Sequence, residues 1–595
     1  MHNHFDWILA DEWTARDPMG KIKPADAVDG SEPRAVAPRA PRGGYASFRI
    51  VVRGEGRFRL DVAFEGGLSA DLYRAWYHPL AAVKGRPACA YPDALVPAAR
   101  GDVFAIPDPD NRIAGQRVQE FWVDVYAPPD AAPGPVAGRV RLTAGHEVNE
   151  RAVTVEVLKA RLPDEPCMVV DNNSYGARWL PGYYPRTLCA DPATPRDWRA
   201  VTRILQHYYR IAHEHRACFH NLGYGHSGQF DPIYGPRAVG RGRDRRLTDW
   251  ALFDNHYGPL LDGSAFATAA PGLPPPRRAA TPVWGVYTPI NPDWPADYLW
   301  WGEPGYETEF TRGVRQFDAH FRERGWTRSR VEFFFNHKKR YRWFEWDGDE
   351  VKHTKDDPYH LEMIRLWKDA IGRTPVPWVY RVDASWRMKQ QFDVLAGARN
   401  FWVCGGFCAW YPREIQRVRE RGEIIINYCG YPVIAASSGA VLQDLYRNWA
   451  RGLHGFTEWL TTNPGRDPWF ACDGVPHAAF YPGERFGIDG PIPSIRLKVL
   501  RNGIQDIDLL HQAAMRGGGE KGLAAARANL VRAIGVPVWQ QPPRVARERP
   551  AEEWDSVNLA AEHEPIAAPD ERLGPGWWSI VRERAAAAAQ GKGRA

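Results

Sequence analysis

From residue 167 onward short apolar runs alternate with helical stretches, and this rhythm constrains the fold more than any other property of the chain. The runs are CMVVDNN (from residue 167), ACFHNLG (217), PVWGVYTP (282), VEFFFN (331), PWVYRVDAS (377), NFWVCGG (400), IIINYCGYP (424) and GFTEWL (455). Their brevity and their β-branched and aromatic content predict strands. Between several of them lie well-punctuated helices. TPRDWRAVTRILQHYYRIAHEH offers Thr194 as N-cap, Pro195 at N1, Asp197 at N3 and apolar residues at 201, 204, 205, 208 and 211. DPYHLEMIRLWKDAIG opens on Asp357 and Pro358 and closes on Gly372. Eight strands with intervening helices predict a (β/α)8 TIM-like barrel over residues 164–515, with its active site at the C-terminal strand ends. The competing fold, an open doubly wound sheet, lacks its glycine-rich phosphate loop here.

Upstream, from Tyr45 to about Leu162, the pattern is different. ASFRIVVRG, RFRLDVAFEG, EFWVDVYAP, GRVRLTAG and RAVTVEVLKA alternate apolar with polar residues between Gly and Pro turns, which predicts an antiparallel β-sandwich domain over residues 45–163. RLPDEP at 161–166 makes a stiff exit from it. Residues 1–44, rich in Pro, Ala and Arg, are expected to be irregular. Residues 229–280 are Pro, Gly and Arg rich and too long for an ordinary connection, so they read as an insertion over the barrel mouth. The Ala- and Arg-rich residues 516–595 read as a helical extension ending in a frayed tail.

Charge narrows the partners. Lys plus Arg number 77 against 71 Asp plus Glu, a net charge of +6, and the basic residues are scattered apart from GRGRDRR at 240–246, so no nucleic-acid partner is indicated. No stretch approaches the roughly 18 apolar residues of a membrane span. MHNHFDWILADEW lacks the basic start and apolar core of a signal peptide. The expectation is a soluble chain, cytoplasmic as written, of open oligomeric state. Eight cysteines are too sparse for a disulfide framework, and Cys404 and Cys408, outside CxxC spacing, read as buried thiols. Five histidines, His207, His213, His215, His220 and His226, crowd one region, but HEH sets two of them on different helix faces, unlike the HExxH zinc motif. No metal or other cofactor is expected. The unusual count is 26 Trp beside 24 Tyr and 24 Phe. Flat rings fill cores and also form platforms for sugar faces, which leans toward a glycan partner.

The strand ends offer Asp171, Asn172, Asn173, His220, Asn221, Tyr287, Asn336, His337, Asp383, Tyr428, Glu458 and Trp459. Acids, amides and aromatics converging at one mouth suit a site that hydrogen-bonds many hydroxyls, although each alone could equally cap a helix or satisfy loop backbone. Glycosidases use paired carboxyl groups, and some use the substrate's own acetamido oxygen as nucleophile, with one carboxylate orienting it and a second acting as acid. Adjacent Asp349 and Glu350 in WDGDE fit that division of labour. The competing reading of WDGDE is a solvated turn.

YPGERFGIDGPIPSIRLKVLRNGIQDIDLL (481–510) resembles the C-terminal signature of glycoside hydrolase family 123 and its related uncharacterised domains. EFWVDVYAPPDAAPGPVAGRVRL (120–142) and VTVEVLKARLP (153–163) are similar to the end of that family's sandwich. The resemblance implies a β-sandwich, a (β/α)8 barrel, and retaining, substrate-assisted hydrolysis of β-N-acetylgalactosaminides by an Asp-Glu pair after the fourth strand. In that family the pair follows the strand directly, as DEP, whereas here VEFFF runs into Asn336 and His337. In one reading NHKKRYRWFEW is an insertion, Asp349 orients the acetamide and Glu350 is the general acid/base. In the other the pair is lost, and the barrel binds sugar without hydrolysis or uses other acids such as Asp383. The first is preferred because Asp349 and Glu350 still precede the next barrel helix. Asp171, Asn336, His337, Asp383, Trp386, Glu458 and Trp459 are the expected substrate contacts, the tryptophans as stacking faces. Two other classes stay open: a noncatalytic carbohydrate-binding protein, and a two-carboxylate glycosidase acting on a sugar without an acetamido group.

Overall fold

The computed structural model describes residues 5–27, 36–188, 197–222, 234–290, 303–334, 346, 348, 354–384, 388–458, 461–463, 465, 467–471, 478–535, 537–540 and 575–591. The first 161 residues form two five-stranded sheets. One runs in the order Asp6–Ala10, Gly44–Arg53, Val118–Ala127, Ser69–Leu80, Cys89–Ala98; the other runs Arg39–Arg42, Glu147–Arg161, Gly134–Ala144, Gly56–Phe64, Phe104–Ile106. Period-two alternation turns Phe48, Ile50, Phe121 and Val123 of the first sheet toward Val140, Leu142, Val153 and Val155 of the second, in one apolar core. The described part of residues 1–44, expected to be irregular, contributes two strands. Asp6–Ala10 pairs antiparallel with Gly44–Arg53, and Arg39–Arg42 pairs parallel with Glu147–Arg161. The five-residue strand around the buried Trp7 is short enough to be hidden by the Pro, Ala and Arg around it.

The barrel strands in chain order are Val169–Tyr175, Cys218–Leu222, Gly285–Tyr287, Arg330–Phe333, Trp378–Ala384, Phe401–Cys404, Ile424–Cys429 and Gly455–Glu458. All pair in parallel. The hydrogen-bonded ladder runs from the second strand through the first, eighth, seventh, sixth, fifth and fourth to the third, and the second and third strands then meet in space, so the sheet curls nearly to closure. Gly455 is required where the eighth strand crosses the first: a Cβ there would fall 1.9 Å from the Val169 carbonyl oxygen.

Two details depart from the sequence reading. The helix after the first strand spans Trp198–Glu214, and its N-cap is Asp197, whose side chain accepts from the Arg199 N–H at 3.0 Å. Thr194 and Pro195 lie outside the described residues. Residues 229–280 are more than an insertion over the mouth, because Ala251–Leu261 is the barrel's own helix between the second and third strands. Phe253, Tyr257 and Leu260 bury its apolar side against the flanking helices. Gly258 and Pro259 inside ALFDNHYGPLL disguise it, since both residues are poor helix formers.

The stretch 481–510, which carries the family resemblance, is the joint between sheets and barrel. Ser494 caps the helix Ile495–Ile534 by accepting from the Leu497 N–H at 3.0 Å, and that helix kinks at Gly518 and Gly519. From it Arg496 pairs with Asp93 (2.8 Å), while Lys498 (2.6 Å) and Arg501 (2.7 Å) both reach Asp124. Burial alone would push the Asp124 carboxyl up, but Arg501 and Lys498 outweigh it and hold it well below the usual range. Asp508 on the same helix grips Arg216 at 2.7 Å, next to the second barrel strand.

Candidate active site

Alternation along the barrel strands sets one polar chain across the interior. Thr457 on the eighth strand donates to Asp171 Oδ2 on the first at 3.1 Å. His220 Nδ1 on the second strand lies 3.2 Å from the same oxygen, and its Nε2 lies 3.7 Å from Glu332 Oε2 on the fourth. Arg381 on the fifth strand donates from Nη1 to Glu332 Oε1 at 3.0 Å. Its Nε and Nη2 grip Asp383 Oδ1 and Oδ2 at 2.6 and 3.0 Å, while its guanidinium lies 4.2 Å from the centre of the Phe334 ring. Asp171, His220, Glu332 and Arg381 are buried. Asp383 keeps 14% of its side chain exposed and sits two residues nearer the C-terminal end of its strand than Arg381. It is the end of the chain offered to the mouth.

The electrostatics follow from burial. Burial disfavours the imidazolium of His220, but Glu332 and Asp171 on either side outweigh it and raise the group above its ordinary value. A protonated His220 donates from Nδ1 to Asp171 and turns its other N–H toward Glu332. The fork of Arg381 matches both oxygens of Asp383, which fixes that carboxylate's plane as well as its charge.

The structure brings together Asp171 and Asp383, with His220, but not Glu458. Thr457 uses the inward position, so Glu458 beside it faces the helix layer. There burial, and then the nearby Asp444, raise its carboxyl well above the ordinary range, and its Oε2 has no hydrogen-bond partner among the described residues. Asn172 is on the same outer side, where it accepts from the Tyr431 hydroxyl at 2.8 Å. Asn221 also turns outward and donates to the Ser174 hydroxyl at 2.7 Å. Tyr287 is inward, with its ring centre 5.8 Å from that of His220. Asp349, Glu350, Asn336, His337, Trp386 and Trp459 lie outside the described residues. Trp346, three residues before Asp349, is buried and stacks on Tyr359 of the helix Asp357–Ile371 at 5.6 Å.

Glu332 and Arg381 escaped the sequence reading because each sits inside an apolar run, VEFFF and VYRV. The signal was present. A strand covered on both faces has no solvent side on which to leave a charge, so a charge within it must find a partner in the interior. Among the described residues no group of three His, Cys, Asp or Glu side chains is arranged to hold a metal ion.

No protein-family model matches the chain, and no curated protein matches it. Among solved structures, a family 123 glycoside hydrolase from Clostridium perfringens, studied for glycolipid glycan hydrolysis, superposes with a TM-score of 0.63 at 13% identity, over 98% of this chain and 99% of that one. The chain has the fold of that hydrolase from end to end. Bacteroides uniformis beta-glucuronidase 2 aligns over 82% of this chain and 49% of its own at 9% identity, with a TM-score of 0.28. A Parabacteroides merdae beta-glucuronidase aligns over 78% and 50% at 6% identity, with a TM-score of 0.26. Those two scores do not define a shared topology.

Proposed function

We propose that this chain is a retaining glycoside hydrolase that cleaves a β-linked 2-acetamido sugar, N-acetylgalactosaminide-like, with the substrate's acetamido oxygen as nucleophile. The observation that carries the reading is the end-to-end likeness in fold to the family 123 hydrolase. The polar interior supports it: Asp383, held by Arg381 below the mouth, is poised to accept hydrogen bonds from sugar hydroxyls.

In this reading Asp349 orients the acetamide and stabilises the positive charge that develops as its oxygen attacks the anomeric carbon. Glu350 protonates the departing glycosidic oxygen, then takes a proton from the water that opens the oxazolinium ion. Asp349 and Glu350 fall in sequence between the fourth strand and the helix Asp357–Ile371, and Trp346, three residues before the pair, packs on Tyr359 of that helix. Glu332 is a poor nucleophile, because it is buried and already bound by Arg381.

The test uses aryl and alkyl β-N-acetylgalactosaminides and an oxazoline-mimicking thiazoline. Turnover with competitive inhibition by the thiazoline is expected. Glu350→Gln should spare activated aryl substrates and slow alkyl ones, whereas Asp349→Asn should slow both by about a hundredfold or more. Activity that ignores the thiazoline would point to two-carboxylate chemistry. Glycan binding without turnover would make the chain a binding protein, and wild-type rates in both variants would move the chemistry to Asp383.

A further inference from the structure

At the end of the barrel opposite the mouth, a cavity of about 100 Å³ lies under the seam between the second and third strands, where Cys218 and Phe219 face Val283 and Trp284. Its wall is cationic, with Arg216, Arg278, Arg328 and Arg330 against the single carboxylate of Glu165. Arg216 is already matched by the buried Asp508 at 2.7 Å, and Arg328 reaches the exposed Glu165 at 3.5 Å. Arg278 and Arg330 form no ion pair with a described carboxylate, although Glu214, Asp508 and Glu165 act on Arg278 from a distance and Glu165 on Arg330. Arg278 donates to the carbonyls of Asp164 (2.7 and 3.2 Å) and His213 (2.8 Å), which leaves two of its five N–H groups free of described partners. The Arg330 guanidinium makes no hydrogen bond or ion pair with a described residue and rests on the Trp284 ring at 4.7 Å. His213 adds a buried polar atom. Its Nε2 lies 3.2 Å from the Thr281 hydroxyl, while its Nδ1 has no hydrogen-bond partner among the described residues.

Two guanidinium groups with no direct ion-pair partner, half-sequestered around a space large enough for several waters, are a costly arrangement unless an anion or solvent completes it. Burial, with Arg216 close by, pushes Arg278 down to about 9 against the pull of Glu214, Asp508 and Glu165, so an added negative charge beside it would favour its charged form. A cation is excluded by the sign of the wall, and a purely apolar ligand would leave the His213 nitrogen and the guanidinium N–H groups unsatisfied.

We propose that this cavity is a binding site for a small oxyanion of the size of inorganic phosphate, held by Arg278, Arg330 and His213. The site lies at the far end of the barrel from the mouth, and the proposal stands whether or not the chain is a hydrolase.

The experiment titrates inorganic phosphate into the full chain by calorimetry and follows the melting temperature, with sodium chloride at matched ionic strength as control. Saturable binding and a phosphate-specific rise in melting temperature are expected. Arg330→Gln should weaken the binding about tenfold or more, because a charge-assisted contact is lost while no protein partner is orphaned. Arg328→Gln, on the exposed rim, should weaken it less, and Asp383→Asn at the mouth should leave it unchanged. Absence of saturable binding, or equal binding by wild type and Arg330→Gln, would overturn the proposal. Loss of binding in Asp383→Asn would also overturn it by moving the phosphate to the mouth.

Discussion

The space between the two N-terminal sheets and the space inside the barrel are both closed to solvent, yet they are filled by opposite chemistry. Between the sheets lies one large apolar cluster, with Phe48, Ile50, Phe121 and Val123 against Val140, Leu142, Val153 and Val155. Inside the barrel one wall is apolar, formed by Val379, Phe401, Val403 and Ile426, but the rest holds Asp171, His220, Glu332 and Arg381. Each buried aliphatic or aromatic side chain contributes about 1.5–3 kcal/mol, whereas a buried ion pair contributes little net stability, because desolvation cancels most of its attraction. The sheets are built to hold the chain together. The barrel interior gives up stability for fixed charge, and it does so under the strand ends where a polar substrate would arrive.

The sharpest way to break that comparison is Arg381→Met. The change leaves Glu332 and Asp383 without the cation they share, and Phe334 without the guanidinium over its ring. Removing one partner of a buried pair costs about 3–5 kcal/mol, the largest loss expected of a single substitution here. Urea unfolding measures it. Adding Glu332→Gln to Arg381→Met should return part of the loss, because one of the stranded charges is gone, and the double-mutant cycle isolates the coupling. A loss below about 1 kcal/mol for Arg381→Met would mean the charges are open to water and the interior is not a closed ionic layer.

The two interiors also differ in how well the sequence reveals them. Alternation in ASFRIVVRG and EFWVDVYAP exposes the sheet core directly, because one face is apolar and the next polar. Barrel strands are covered on both faces, so VEFFF and VYRV read as unbroken apolar runs, and the parity that separates an inward from an outward residue is hidden. That parity is why the sequence does not separate Asp171 and Asp383, which face inward, from Glu458, which faces the helices, and why it hides Glu332 and Arg381. The signature at 481–510 was a sound guide to the fold for a different reason. Arg496, Lys498, Arg501 and Asp508 are the ion pairs that lock the helix to its neighbours, so that stretch reports architecture and says nothing of chemistry.

Inward and outward titratable groups can be separated by pH, with a smaller effect than that of Arg381→Met. Glu458, facing the helices, has a native value well above 4.5. Between 4.5 and that value the folded chain keeps a proton that the unfolded chain has released, so stability is full below 4.5 and falls as pH rises through the window. Glu458→Gln should flatten this fall and raise stability at neutral pH. His220 is also raised, from 6.5, so its contribution is full below 6.5 and is lost as pH rises through its native value. His220→Gln should instead lower stability at mildly acidic pH and flatten the fall above about pH 6.5. Urea midpoints from about pH 4.5 to 8.5 resolve the two windows. If Glu458→Gln is destabilising at every pH, its carboxylate is charged and paired.

The smallest effect comes from the sheet side of the comparison. Ile50 is fully buried between the sheets, and trimming it to Val removes one methylene-sized volume without exposing a polar group. Such a change costs about 0.5–1.5 kcal/mol. Its neighbours in the core are apolar residues of the two sheets, and the sheets reach the barrel through separate contacts such as Asp124 with Lys498 and Arg501. Ile50→Val should therefore lower the urea midpoint slightly while leaving kcat and KM for the aryl glycoside unchanged. Asp383→Asn should instead change kcat or KM for the aryl glycoside if the carboxylate meets the sugar, and it should also lower the urea midpoint, because its pairing with the buried Arg381 is weakened. A kinetic change in Ile50→Val equal to its stability change would show that the sheet core and the barrel site move as one unit, and the division between a holding interior and a charged one would fail.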